Sequence, residues 1–159
     1  MQIDKKLINA NLKLSYFGLK YIPLLFFVTP RITAWDEKSF TVVIPLTKRS
    51  RNHLKSMYFG ALAIGADLAG GFVAMEEIRK TKTKIALIFK DFDARFLKRA
   101  EGDVHFICEQ NQEIKDLVAQ AVATGERVEM PVFVKALVPS KMGQEPVATF
   151  KLTLSLKKK

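Results

Sequence analysis

Ser56-Met57-Tyr58-Phe59-Gly60-Ala61-Leu62-Ala63-Ile64-Gly65-Ala66-Asp67-Leu68-Ala69-Gly70-Gly71-Phe72-Val73-Ala74-Met75 carries a single charge, Asp67. A helix apolar on nearly every face belongs inside a protein. A carboxylate within it is unfavourable unless it is paired or put to chemical use. The residues three and four positions away are Ala63, Ile64, Gly70 and Gly71, so no cation lies within helical reach. A partner must come from elsewhere in the fold or from another subunit. Asp67 is therefore the leading functional candidate, and burial should raise its pKa toward the range useful for a base.

Outward from this helix, read over about Ser56 to Ile78 with Ser56 or Asn52 as its cap, the chain changes character. Lys48-Arg49-Ser50-Arg51-Asn52-His53 is a polar, basic loop. Before it, Phe40, Val42, Ile44 and Leu46 alternate as in a strand, with Pro45 marking an edge or a strand end. Lys5 to about Tyr21 has helical spacing of Leu7, Ile8, Leu12, Leu14 and Phe17, and Pro23 and Pro30 then punctuate the chain. Downstream, Ile85–Leu97, Asp103–Glu109, Val128–Val138 and Ala148–Leu156 read as strands. Residues 99–103 form a turn, Gln112–Ala123 a helix stopped by Gly125, and 140–146 a hairpin loop. One apolar helix and several alternating strands make an α+β layout, with an antiparallel sheet curled around the helix.

The chain has 159 residues, enough for one domain, with residues 1–28 as an N-terminal helical segment and 157–159 as a basic, solvated tail. Lys and Arg number 26 against 16 Asp and Glu, a net charge of +10 that favours anionic partners without choosing among them. Cys108 is the single cysteine and there are two histidines, so neither a disulfide framework nor a zinc cluster is expected, and the chain reads as cytoplasmic. Leu24-Leu25-Phe26-Phe27-Val28 follows several lysines but is interrupted at Pro23 and is too short to span a bilayer. It reads as a packed N-terminal segment, and no integral membrane segment is expected.

Arg51-Asn52-His53 ahead of Ser56-Met57-Tyr58-Phe59-Gly60-Ala61, then Asp67 in an apolar helix, resembles the hotdog-fold thioesterase superfamily. Phe96-Leu97-Lys98-Arg99-Ala100-Glu101-Gly102-Asp103-Val104 is similar to its branch of uncharacterised acyl thioesterase-like proteins. The resemblance implies a curved antiparallel sheet wrapped around one long central helix, in subunits that pair edge to edge as a homodimer or dimer of dimers. It implies an acyl-CoA site at the subunit boundary, with coenzyme A as part of the substrate and no separate cofactor or metal. Carried over, Asp67, Asn52 and Gly60 would be catalytic, and His53, Ser56, Phe59, Ala61, Arg51 and Lys55 would contact substrate. Phenylacetate-pathway-type members have His-Gly-Gly at the helix start, where this chain has Phe59-Gly60-Ala61.

That chemistry suits these residue types. Thioester hydrolysis places negative charge on the carbonyl oxygen, and the first N–H groups of a helix, unpaired and at its positive end, can stabilise it. Gly60 lets a thioester approach the backbone, and a facing carboxylate can deprotonate water or attack directly. Each residue also has a plainer use. Asp67 can be bonded to backbone N–H groups or paired with an Arg across an interface, Asn52 can cap or turn the chain, and His53 can be a polar loop residue. His105 is expected to face solvent, Cys108 to lie in the core, and Gly65, Gly70 and Gly71 to permit close helix–sheet contact. The basic sets Lys48, Arg49, Arg51, Lys55 and Arg79, Lys80, Lys82, Lys84 suit either solvent or the phosphates of coenzyme A. A noncatalytic acyl or lipid carrier is the alternative function. A nucleic-acid-binding module is a weaker one and no nucleic-acid partner is expected, because Phe89, Phe92 and Phe96 read as core and not as a stacking stripe. There is no Gly-x-Ser-x-Gly elbow, phosphate loop or dinucleotide fingerprint.

Overall fold

The apolar run around Asp67 forms most of α3 (Phe59–Thr81), a 23-residue helix at the centre of the computed structural model, which describes residues 4–159. Strands β1 (Arg31–Trp35), β2 (Phe40–Ile44), β3 (Ile85–Phe96), β4 (Val104–Cys108), β5 (Val128–Leu137) and β6 (Pro146–Lys158) form one antiparallel sheet in the order β1-β2-β4-β5-β6-β3. The helix touches β2, β3, β4, β5 and β6. One helix reaches five strands of a sheet only where the sheet curls around it. This is the expected α+β hotdog layout.

Glycine sets how closely helix and sheet approach. A Cβ on Gly65 would lie 2.2 Å from the ring of Phe106, which is itself fully buried on β4. Gly71 sits against Phe89, where a Cβ would come within 3.2 Å of the ring. Beside them Phe40 stacks on Phe72 at 5.4 Å between centroids, and Trp35 meets both rings edge-on. Cys108 is buried on β4 as expected, and burial pushes its thiol up to about 11, so it is no nucleophile. His105 is half-buried, short of the open solvent position expected for it.

The helix begins later than its sequence suggests. Tyr58, not Ser56 or Asn52, is the N-cap, and no side chain caps it. The N–H groups of Met57 and Tyr58 bond to the carbonyls of Ala100 and Ser50, which holds the chain extended until Phe59. At the other end the helix runs to Thr81, with Lys82 left-handed at φ 56°. The turn at residues 99–103 is not a hairpin, because β3 pairs with β6 and β4 with β2 and β5. The last lysines are not a free tail either: Lys157 and Lys158 pair with Ala86 and Ile85 inside the sheet.

Helix α1 (Lys5–Tyr21) is capped by Asp4, whose carboxylate accepts from the N–H of Lys6 at 2.9 Å. Asn11 joins it to edge strand β1 by accepting from the N–H of Ile32 and donating to the Ile32 carbonyl. Lys13 reaches the buried Glu76 of α3 at 2.6 Å, and Arg79 bonds the other oxygen at 2.7 Å. A short helix, α2 (Pro23–Phe27), then buries Leu25 and leaves Leu24, Phe26 and Phe27 exposed, so the segment expected to be packed is packed on one side only. Helix α4 (Asn111–Thr124) ends at Gly125, left-handed at φ 72° as expected of that stop, and α5 (Pro139–Met142) replaces part of the expected hairpin loop.

Candidate functional site

Asp67 projects from the middle of α3 into a cleft of about 470 Å³. Phe17, Ile22 and Leu25 of α1–α2 wall it on one side, Leu87, Ile88 and Phe89 of β3 on another, and Leu68, Phe72 and Met75 of α3 form its floor. The volume falls within the range of small-molecule sites. Asp67 is the one ionisable group among these residues, and its carboxylate has no hydrogen-bond or ion-pair partner among the described residues. Burial raises its pKa above the ordinary carboxylate value, with no neighbouring charge to offset it. Of the plainer roles for Asp67, bonding to backbone N–H groups is not met among the described residues, and no cation of this chain pairs with it there.

Four of the other sequence-predicted residues, Asn52, His53, Ser56 and Phe59, line a second cleft at the start of the helix; Arg51, Lys55 and the buried Ala61 do not. With Tyr58 they make its loop and helix side, and Phe96, Leu97, Lys98 and Arg99 lie beyond. Gly60 lies one residue beyond Phe59, half-buried, and the three atoms nearest to a Cβ there all belong to the Tyr58 ring. The first intrahelical donor is the N–H of Leu62, which bonds to the Tyr58 carbonyl at 3.1 Å. The N–H groups of Phe59, Gly60 and Ala61 are thus free of acceptors among the described residues. Seven residues separate Gly60 from Asp67, two turns along one face of the helix and about 10 Å of rise. Within one subunit the carboxylate and the helix start therefore do not meet.

Asn52 is committed elsewhere. Its side-chain oxygen accepts from the N–H groups of Leu54 at 2.9 Å and Ser56 at 3.2 Å, and its amide donates to the Ser56 hydroxyl at 3.1 Å. These bonds close the loop that delivers the chain to Tyr58, with Lys55 left-handed at φ 63°. Ser56 is buried and Asn52 half-buried, whereas His53, Arg51 and Lys55 are exposed. Of the two basic sets, the one before the helix forms no ion pair among the described residues. In the other, Arg79 and Lys80 are bound to Glu76 and Glu77, about 30 Å along the helix from its start.

Sequence reasoning missed the apolar residues of α1, α2 and β3 that wall the Asp67 cleft, and one expectation about β3 fails. Phe92 and Phe96, expected in the core, are 45% and 52% exposed, and Ile88 is 51% exposed. The strand is rich in Ile, Leu and Phe because its outer edge is apolar, and β3 is a free edge of the sheet. Phe89 is half-buried against the core, whereas Phe92 and Phe96 meet it through the ring of Phe150 and leave about half their surface open. The ground for setting aside base stacking therefore does not hold for Phe92 and Phe96. Helix α3, long and apolar enough to cross a bilayer, is buried as the core of the fold.

The architecture has close relatives in shape. A protein of unknown function from Chlorobaculum tepidum superposes with a TM-score of 0.81 at 14% identity, covering 96% of this chain and 97% of its own. A Pseudomonas aeruginosa protein of unknown function, described as a probable thioesterase, gives 0.72 at 21% identity over 93% and 95%. A thioesterase from Haemophilus influenzae gives 0.67 at 14% identity over 96% and 90%. At these identities the likeness is one of fold. No curated protein matches the chain. Residues 12–156 do match a family described only as a domain of unknown function (DUF4442), and with nearly the whole sequence inside that match the chain belongs to this family.

Proposed function

We propose that the protein hydrolyses an acyl thioester, with acyl-CoA as the substrate class, at a site built from two subunits. The observation that carries this reading is Asp67: a desolvated carboxylate with no partner, at the wall of an otherwise apolar cleft. The fold it shares with a thioesterase from Haemophilus influenzae supports the same class of reaction. Asp67 takes a proton from water, the resulting hydroxide attacks the thioester carbonyl, and the C–S bond breaks as the thiol leaves with a proton. The developing oxyanion is held by the N–H groups at the start of α3, around Gly60. Asn52 shapes the loop that presents them.

The two clefts share one wall, strand β3, with Ile88 beside the first and Phe96 beside the second. Antiparallel pairing of two free β3 edges about Phe92 sets Ile88 of one chain opposite the partner's Phe96. That pairing covers the exposed apolar side chains of the strand and lays the Asp67 cleft of one subunit against the helix start of the other. His53, Ser56 and Phe59 then line the thioester end with the backbone N–H of Ala61 beside them, and Arg51 and Lys55, with Lys48 and Arg49, stand where phosphates of coenzyme A would enter.

The test is release of free thiol from acyl-CoAs of graded chain length. An Asp67→Asn variant is expected to lose about 10²- to 10⁴-fold in rate. If no chain length gives turnover above that variant, hydrolysis is excluded. A second reading, a noncatalytic acyl carrier, is favoured by the apolar lining of the first cleft. It predicts acyl-CoA binding without turnover, and an affinity that Asp67→Asn leaves unchanged.

A further inference from the structure

Helix α1 is apolar on two opposite sides. Ala10, Leu14 and Gly18 are buried against the fold. At 100° per residue, Ile8, Leu12 and Leu19 fall within about 40° of one another, roughly half a turn away from that packed face. They stand in solvent, Leu12 at 66% and Leu19 at 63% exposure, and Leu24, Phe26 and Phe27 of α2 are exposed as well. A helix end or a single exposed leucine needs no explanation; a stripe about three turns long followed by a second helix with exposed apolar residues does.

The charge around this stripe is one-sided. Between Asp4 and Asp36 the sequence contains Lys5, Lys6, Lys13, Lys20 and Arg31 and no carboxylate. Only Lys13 of these forms an ion pair among the described residues. Lys20 lies against the rings of Tyr16 and Tyr21, 5.4 and 5.1 Å from their centroids, and Arg49 lies over Phe27 at 5.5 Å. Exposed leucine and phenylalanine, rimmed by tyrosine and unopposed cations, match the composition of a helix that lies in the interface of a bilayer.

We propose that the outer face of α1–α2 docks on a membrane surface carrying anionic lipid headgroups. A second copy of the chain fits this face poorly, since two-fold pairing would set Lys5, Lys20 and Arg31 against themselves with no acidic residue to meet them. Phe17, Ile22 and Leu25 of the same two helices wall the Asp67 cleft, so a docked subunit holds that cleft beside the lipid. Only this last link, acyl chains entering from the bilayer, rests on the thioesterase reading; the docking itself does not.

The experiment is co-sedimentation of the full chain with phosphatidylcholine vesicles, with and without phosphatidylglycerol, at low and high salt. Binding is expected to be about tenfold or more stronger with the anionic lipid and to weaken with salt. Leu12→Gln combined with Leu19→Gln, both good helix formers at exposed positions, is expected to lose most of the binding while keeping the parent's circular dichroism. Lys5→Gln with Lys20→Gln is expected to remove the preference for phosphatidylglycerol. Equal binding with and without that lipid, or leucine variants that bind like the parent, would overturn the proposal. So would size-exclusion profiles in which the leucine variants dissociate an oligomer while no vesicle is bound. No thioester is present in the assay, so an inactive enzyme that still sediments sinks hydrolysis alone.

Discussion

Burial without a counter-charge makes Asp67 bind its proton more tightly in the folded chain than in the unfolded one. Folded stability therefore falls as pH rises from the ordinary carboxylate value through the raised one, and the penalty is fully present above it. Asp67→Asn removes the titration, so at neutral pH the variant is expected to melt at a higher temperature than the parent. The difference should vanish below the ordinary carboxylate range. Thermal melts across pH decide it, and equal melting temperatures at neutral pH would mean that the carboxylate has a partner after all. Hydrolysis runs the other way, rising with pH as the base ionises. Asp67 was legible from the sequence because a lone charge in an apolar helix stands out by subtraction. The role of Asn52 was not, because capping, turn formation and substrate contact all ask for the same amide. Only the geometry shows it spent on Leu54 and Ser56.

At the scale of elements, α3 and the central strands follow from periodicity, whereas the edges do not. Strand β1 has only Ile32 buried, so no alternation announced it. Helix α2 was not set apart because Pro23 was read as a break, and α5 was hidden because residues 140–146 were read as a loop, whereas proline is equally at home in the first turn of a helix. An apolar run such as β3 looks alike whether its neighbour is the core or a second subunit, which is why Phe92 and Phe96 were misplaced. The helix–sheet contact makes a firm stability prediction. Gly65→Ala drives a methyl into the ring of Phe106 and is expected to destabilise the fold by about 1–3 kcal/mol in urea titration. Combining it with Phe106→Leu should cost less than the two single changes added together. Strict additivity would place the strain somewhere other than that contact. About three turns further along the same helix, Lys13→Ala leaves the buried Glu76 with Arg79 alone and is expected to cost about 1.5–3 kcal/mol.

For the molecule as a whole, the decisive question is whether its two clefts belong to one site. The 10 Å of helix between Gly60 and Asp67 prevents them from acting on the same thioester within a subunit, and the free β3 edge offers a way to bring them together across two. Ile88→Lys with Phe92→Lys places charges on that edge and is expected to leave a folded monomer without hydrolytic activity, as read by light scattering and thiol release. A mixing experiment goes further. Gly60→Val obstructs the backbone at the helix start, where the nearest atoms belong only to the exposed Tyr58 ring, and Asp67→Asn removes the base. Each variant alone should be inactive. If every site takes its carboxylate from one subunit and its helix start from the other, a mixed dimer contains one site with both groups intact and one with neither. After subunit exchange at equal concentrations half of the dimers are mixed, so about a quarter of the parent activity should return. A mixture that exchanges subunits yet stays inactive would place both groups in the same subunit's chemistry, or in none, and would separate the fold from the reaction proposed for it.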